Sequence, residues 1–259
     1  MGNRERKGVL RAIVEKFSVV AIFKKQALKE KVSIVKRCHC APGKILDIGA
    51  AAGEFLFAMR KEGWDVLGVE MSNSMSRYVL ETYGIDCINS DIDELSVDNL
   101  KANHFDAVTL WATLAHLYDP MRTLRLCHQV LKPRGKIVIL TSNSDSLEEK
   151  WFKGIDRNPI DIPRHLYHFN TKLIIQYFEA TGFKVNEIHH FTLNACDRLT
   201  VILTSLAKQI RGNNLLIRIL RCLLLMISFT SGYVLSTFLA IFRRSHTIII
   251  VGEKVDTLE

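Results

Sequence analysis

Residues 44–48 are a short apolar run, Lys44-Ile45-Leu46-Asp47-Ile48, that breaks into the small residues Gly49 to Gly53. Apolar positions then return at helical spacing in Phe55, Leu56, Ala58 and Met59. This pattern predicts a strand, a tight turn and a helix. The alternation continues along the chain, with strands expected at 65–69, 85–88, 105–111 and 136–141 and helices at 54–62, 73–83 and 120–131. Strands this apolar, alternating with helices, predict a parallel sheet covered on both faces. Ahead of them, residues 8–37 read as one helix, with Val9, Ile13, Phe17, Val20 and Phe23 or Ala27 on one side and Lys and Arg on much of the other. Residues 142–170 are polar, carry Pro159 and Pro163, and bring Trp151, Tyr167 and Phe169 close together. A loop of that length at the carboxyl edge of a sheet is read as a substrate lid. A helix at 171–181, a strand at 183–191 and a last strand at 245–251 complete the series.

Between these last two strands, Cys222 to Phe242 holds 21 residues without a charge, bracketed by Arg218 and Arg221 and by Arg243 and Arg244. At about 1.5 Å per residue, a helix of that length reaches ~30 Å, the thickness of a bilayer core. Topology opposes a single crossing, because strands 183–191 and 245–251 are expected to pair and so share one side of any membrane. The other apolar segment, 199–207, is too short to span. An in-plane or re-entrant insert fits better, with a bend permitted at Ser228, Thr230, Ser231 and Gly232. A buried helix pair or a homodimer contact is the second reading.

The net charge of +8 is unevenly placed. Residues 1–40 carry 11 Lys and Arg against 3 Asp and Glu, and 195–244 carry 7 against one, so 41–194 is acidic. A basic groove for nucleic acid is therefore not expected on the central domain, and an anionic surface is expected to meet its periphery. The expected organisation is a basic helical region (1–40), a core (41–194), a hydrophobic helical insert (195–244), and the last strand with its tail (245–259). The helical region either packs on the core or lies on anionic lipid. The six cysteines are scattered, and no secretory signal opens the sequence. Reduced thiols in the cytoplasm are the expectation. Cys38-His39-Cys40 lacks a second ligand pair at zinc-site spacing, so no metal is expected there.

The turn after the first strand is not a dinucleotide fingerprint, since Ala51 and Glu54 stand where the second and third glycines would be. Glu54 at the start of the helix would also repel a diphosphate. The turn suits a ligand with a zwitterionic amino-acid end. Glu70, at the end of the second strand, is placed to accept hydrogen bonds from both hydroxyls of a ribose.

Leu46-Asp47-Ile48-Gly49 with Gly53, then Gly68-Val69-Glu70, then Asn89-Ser90-Asp91-Ile92 resemble the first three motifs of class I S-adenosylmethionine-dependent methyltransferases. Phe105 to Trp111, His116 with Asp119-Pro120, and Leu131-Lys132-Pro133-Arg134-Gly135 continue the match. Arg164 to Asn170 and Ala180 to Phe183 are similar to the ubiquinone-biosynthesis type of small-molecule methyltransferase. The resemblance covers roughly 40–192 and the closing strand. It implies an α/β fold, a Rossmann-like seven-stranded mostly parallel sheet with helices on both faces and an antiparallel last strand. The implied cofactor is S-adenosyl-L-methionine, with S-adenosyl-L-homocysteine as product. Carried over by position, Asp47, Gly49, Ala51 and Gly53 shape the pocket for the methionine end, and Glu70 binds the ribose. Asp91 and Ile92 flank the adenine, Asp91 through its amino group, while Met71 packs on the adenine or in the core. Trp111 lies beside the sulfonium.

His116 is the first choice of base, with His165, and then His168, as further candidates in the lid. Acidic residues accompany the corresponding histidine in quinone-biosynthesis relatives and help hold a metal; here Ala112 and Ala115 stand nearby, so no metal-assisted step is expected. The expected function is O- or N-methylation of a lipophilic or lipid-linked small molecule by an enzyme that is cytoplasmic and peripheral on the inner face of a membrane. The rivals are a soluble small-metabolite methyltransferase whose insert is a dimer interface, and a non-catalytic S-adenosylmethionine-binding membrane protein.

Overall fold

The computed structural model describes residues 19–39, 41–151, 164–191, 210, 215–242 and 244–255. The first half of the expected N-terminal helix, the apolar segment 199–207, and Pro159 and Pro163 of the lid lie outside the described residues. Within them the elements are α1 (Val19–Cys38), β1 (Lys44–Ile48), α2 (Glu54–Lys61), β2 (Asp65–Glu70), α3 (Asn73–Tyr83), β3 (Cys87–Asn89) and α4 (Val97–Leu100). There follow β4 (Phe105–Trp111), α5 (Pro120–Val130), β5 (Leu131–Ser142), α6 (Leu147–Trp151), α7 (Thr171–Ala180), β6 (Phe183–Phe191), α8 (Leu215–Ile241) and β7 (Thr247–Lys254). Two 3-10 turns, Ile92–Glu94 and Leu114–His116, follow β3 and β4.

The seven strands form one sheet in the order β3-β2-β1-β4-β5-β7-β6. The first five are parallel, and β7 runs antiparallel to both β5 and β6. Alternating strand residues feed two separate cores, as the two-residue side-chain period requires. Leu46, Ile48, Val108, Leu110, Ile137, Ile139, Ile248 and Ile250 face α5 and α7. Ile45, Ala107, Val138, Leu140, Ile249 and Val251 face α1 and α2, where Ile34, Val35, Phe55 and Met59 cover them. Helix starts follow local chemistry: Asp119 accepts from the Arg122 N–H (2.9 Å) with Pro120 in the first turn, and Asn170 accepts from the Leu173 N–H (2.8 Å).

Helix α5 ends at Val130, and β5 is already extended from Leu131, five residues before the expected strand. The polar stretch Lys132 to Gly135 hides this from a periodicity argument. In the segment read as a bent or paired insert, α8 is one helix of 27 residues. Its hydroxyls fold back on their own backbone: Ser228 to the Leu225 carbonyl (2.8 Å), Thr230 to Met226 (2.9 Å) and Ser231 to Ile227 (2.7 Å). Among the described residues no helix is long and apolar enough to cross a membrane. The hydroxyls and Gly232 interrupt the apolar run of α8 at its middle. The helix lies against β6 and α1 and returns the chain to the sheet through the Arg244 N–H, which donates to the Leu239 carbonyl (2.8 Å).

Candidate active site

Parallel strands end together, so the turns after β1, β2, β3 and β4 converge on one edge of the sheet. At the β1–α2 turn, the Gly49 and Ala50 N–H groups both donate to the Val69 carbonyl (2.8 and 3.0 Å), tying the turn to β2. Gly49 and Gly53 have φ of +81° and +72°. A Cβ on Gly49 would stand 2.4 Å from Thr113 Oγ1, so the turn is packed directly beneath the loop after β4. Ala51 sits between them, also left-handed at φ +48°, and its N–H donates to Glu70 Oε2 (2.8 Å).

Glu70 closes β2. Its other oxygen accepts from the Ser72 N–H (2.9 Å), so two backbone donors hold the carboxylate in place. Each oxygen keeps a second lone pair for a further donor. Asn89, at the end of β3, supports this corner by donating to the Glu70 and Met71 carbonyls (3.0 and 2.9 Å). The Met71 side chain is exposed, outside the core. Asp91 caps the 3-10 turn by accepting from the Asp93 N–H (3.0 Å), and Ile92 is buried in the core beneath it.

Asp47 lies on the face of β1 that Ile45 shares with the apolar cover of α1 and α2, and it is 2 % exposed. Burial pushes its carboxyl up to about 7, even though Thr109 Oγ1 donates to it (2.7 Å) and Lys31 attracts it. Lys31 comes from α1, with Nζ 4.8 Å from the centre of the Trp111 ring. Burial holds its ammonium below the ordinary lysine range, against the pull of Asp47 and Glu54. Periodicity did not single out Lys31. The signal was a charged residue lying between Ala27 and Leu28 on one side and Ile34 and Val35 on the other, hence on the packed face of α1.

Trp111 ends β4 with its ring edge-on to Phe55 (centroids 5.0 Å apart). Its Nε1 is buried and has no hydrogen-bond partner. Beyond it, the loop 112–118 is clamped by the last residues of the lid. Ala115 O accepts from the Leu166 and Tyr167 N–H groups (2.8 and 3.3 Å), and the Tyr167 hydroxyl donates to the Tyr118 carbonyl (3.0 Å). This clamp brings two of the three candidate bases together: the His116 and His165 rings are 4.6 Å apart. His116 Nδ1 is 2.8 Å from the Arg164 carbonyl. A carbonyl only accepts, so Nδ1 carries the proton and Nε2 of the neutral ring holds the free lone pair. His168 has its Nδ1 buried and without a hydrogen-bond partner. Among the described residues no group of three or more His, Cys, Asp or Glu side chains is placed to hold a metal. Ala115 is buried and turns no ligand toward His116.

The donor set fits S-adenosylmethionine. Lys31 suits a carboxylate, Asp47 an ammonium, and Glu70 a pair of ribose hydroxyls. The comparisons with known proteins agree. Residues 8–188 match the family model described as a methyltransferase domain. The chain is 28% identical over 182 residues to a ubiquinone biosynthesis O-methyltransferase of Saccharophagus degradans, covering 63% of this chain and 77% of that one. It spans about half the length of other relatives of that description, 49% in a Pseudomonas aeruginosa protein. Among solved structures, a SAM dependent methyltransferase from Archaeoglobus fulgidus superposes with a TM-score of 0.58 at 22% identity, over 88% of this chain and 94% of that one. A Haemonchus contortus phosphoethanolamine N-methyltransferase 2 in complex with S-adenosyl-L-methionine superposes at 0.59 and 21% identity, over 88% and 53%. The chain belongs to the methyltransferase domain family and carries the fold of its S-adenosylmethionine-dependent enzymes.

Proposed function

We propose that this protein methylates a hydroxyl or amine of a lipophilic or lipid-linked small molecule, at a membrane surface, with S-adenosylmethionine as the donor. The observation that carries the reading is a cofactor-type edge in the same domain as a 27-residue helix, seven of whose apolar side chains are left exposed. On α8, Leu220, Leu223, Met226, Ile227, Val234, Phe238 and Ile241 are all about half exposed or more. Covering each contributes about 1 kcal/mol, since only part of a fully buried side chain's 1.5–3 kcal/mol remains to be gained. Exposed Lys24, Lys25 and Lys29 on the neighbouring α1 add attraction to anionic lipid.

When bound, the cofactor supplies a methyl group already activated by its sulfonium. The chain's task is then alignment and exclusion of water. Lys31 would hold the carboxylate of the methionine end, Asp47 its ammonium, and Glu70 the ribose. Trp111 would wall the sulfonium, where its ring face favours a cation. His116 Nε2 is the group that would take a proton from the acceptor, and His165 flanks it.

The test is calorimetric titration of S-adenosylhomocysteine into the protein and a Glu70→Ala variant, followed by labelled methyl transfer to a membrane lipid extract. Micromolar binding, weakened at least tenfold in the variant, with label in an organic-soluble product, supports the reading. No binding to folded protein overturns it. Label only in water-soluble metabolites would favour the soluble enzyme, with α8 as a contact between copies.

A further inference from the structure

Between α1 and α2 lies an open, largely apolar concavity of about 390 Å³ whose lining includes Lys24 and Lys25 of α1, Glu54, Phe57 and Lys61 of α2, and Tyr83 at the end of α3. Its aromatic wall is prearranged. Phe57 and Tyr83 stack with centroids 4.5 Å apart and planes 22° from parallel. Arg60 donates to the Tyr83 and Gly84 carbonyls and so holds Tyr83 in place. Lys61 Nζ lies 4.2 Å from the centre of the Phe57 ring. Among the described residues none of the three lysines forms an ion pair, whereas Lys36 of the same helix pairs with Glu62. Glu54, at the end toward the cofactor turn, is the one carboxylate in the lining, which leaves the cavity with a net charge of +2.

Three lysines against one glutamate on the lining leave an excess of positive charge, which favours an anion. A flat apolar wall beside them suits an ester group attached to the anion. We infer that this cavity binds a phosphate ester, and that its source is the headgroup of an anionic phospholipid. Helix α1 forms one wall of the cavity and also contacts α8, so one helix links the cavity to the exposed apolar helix. The inference rests on the membrane reading above and adds headgroup selectivity at a defined site. Bulk attraction between a basic helix and an anionic surface would show no such dependence on position.

The experiment is co-sedimentation with vesicles of phosphatidylcholine alone and with 30% phosphatidylglycerol, about one lipid in three, a composition that gives a strongly anionic surface. The variants are K24Q/K25Q/K61Q and a control of equal charge outside the cavity, K29Q/R37Q/R77Q. Both are checked for unchanged S-adenosylhomocysteine affinity, which reports an intact fold. The expected result is a tenfold or greater loss of partitioning onto the anionic vesicles for the cavity variant, a clearly smaller loss for the control, and no change for either on phosphatidylcholine. Equal losses in the two variants overturn the site while leaving the membrane reading standing. Failure of the unaltered protein to bind either vesicle overturns the membrane reading itself. Titration with glycerol 3-phosphate distinguishes the source: micromolar binding without vesicles, lost in the cavity variant, reassigns the cavity to a soluble phosphate ester and overturns the lipid assignment.

Discussion

Asp47→Asn separates what this site costs the fold from what it does for the ligand. The carboxyl is buried on a largely apolar face of β1, beside Thr109 and Lys31, and burial lifts it from 3.8 to about 7. A raised acid value means that the folded chain keeps a proton which the unfolded chain releases between about pH 4 and about pH 7. Stability therefore falls as pH rises through that window and stays low above it. About 3 units of displacement at 1.36 kcal/mol per unit amount to about 4 kcal/mol. Asparagine has the same shape, accepts the Thr109 hydroxyl through its carbonyl, and has no charge to desolvate. The measurement is urea denaturation of both proteins at intervals from pH 4.5 to 8. The stability difference in favour of the variant is expected to grow steadily to about pH 7 and then level off, towards a total of about 4 kcal/mol. In the same variant S-adenosylhomocysteine binding is expected to weaken at least tenfold, because the partner of the ammonium is gone. A stability difference that is flat with pH would refute the reasoning, since it would mean that Asp47 is not a desolvated carboxyl.

Gly49→Ala sets a methyl group against Thr113 in a left-handed backbone, and is expected to destabilise by about 1–3 kcal/mol and abolish cofactor binding; thermal melts and calorimetry check both. His116→Asn keeps a donor for the Arg164 carbonyl but has no basic nitrogen. Turnover of an oxygen acceptor is expected to fall about 10²–10⁴-fold in a methyl-transfer assay, with S-adenosylhomocysteine affinity unchanged.

Much of the framework was legible because it is local. A branched apolar run, a turn rich in small residues and a helical pattern are all properties of neighbours in sequence, so β1, its turn and α2 stand where the pattern puts them. Glu70 follows from the same logic, as the acid at the end of the next strand. The two-residue alternation of Ile248, Ile249, Ile250 and Val251 even assigns each side chain to its own core. The tertiary structure decided whatever depends on contacts between distant segments. Lys31 reaches the cofactor edge because α1 crosses the face carrying Asp47, and nothing in the residues around Lys31 encodes that crossing. His116 and His165 meet because Leu166 and Tyr167 donate to the Ala115 carbonyl, a closure across about 50 residues whose geometry no periodicity records. Ile92 is buried where the 3-10 turn packs against α5, a contact between segments distant in sequence. Composition alone allowed α8 to be one helix or two. In the fold it is one continuous helix, within which its hydroxyls are satisfied by their own backbone. Local propensity and turn chemistry act over a few residues, and so they place elements. The convergence of side chains at the candidate site depends on how those elements pack, and only the folded chain sets that.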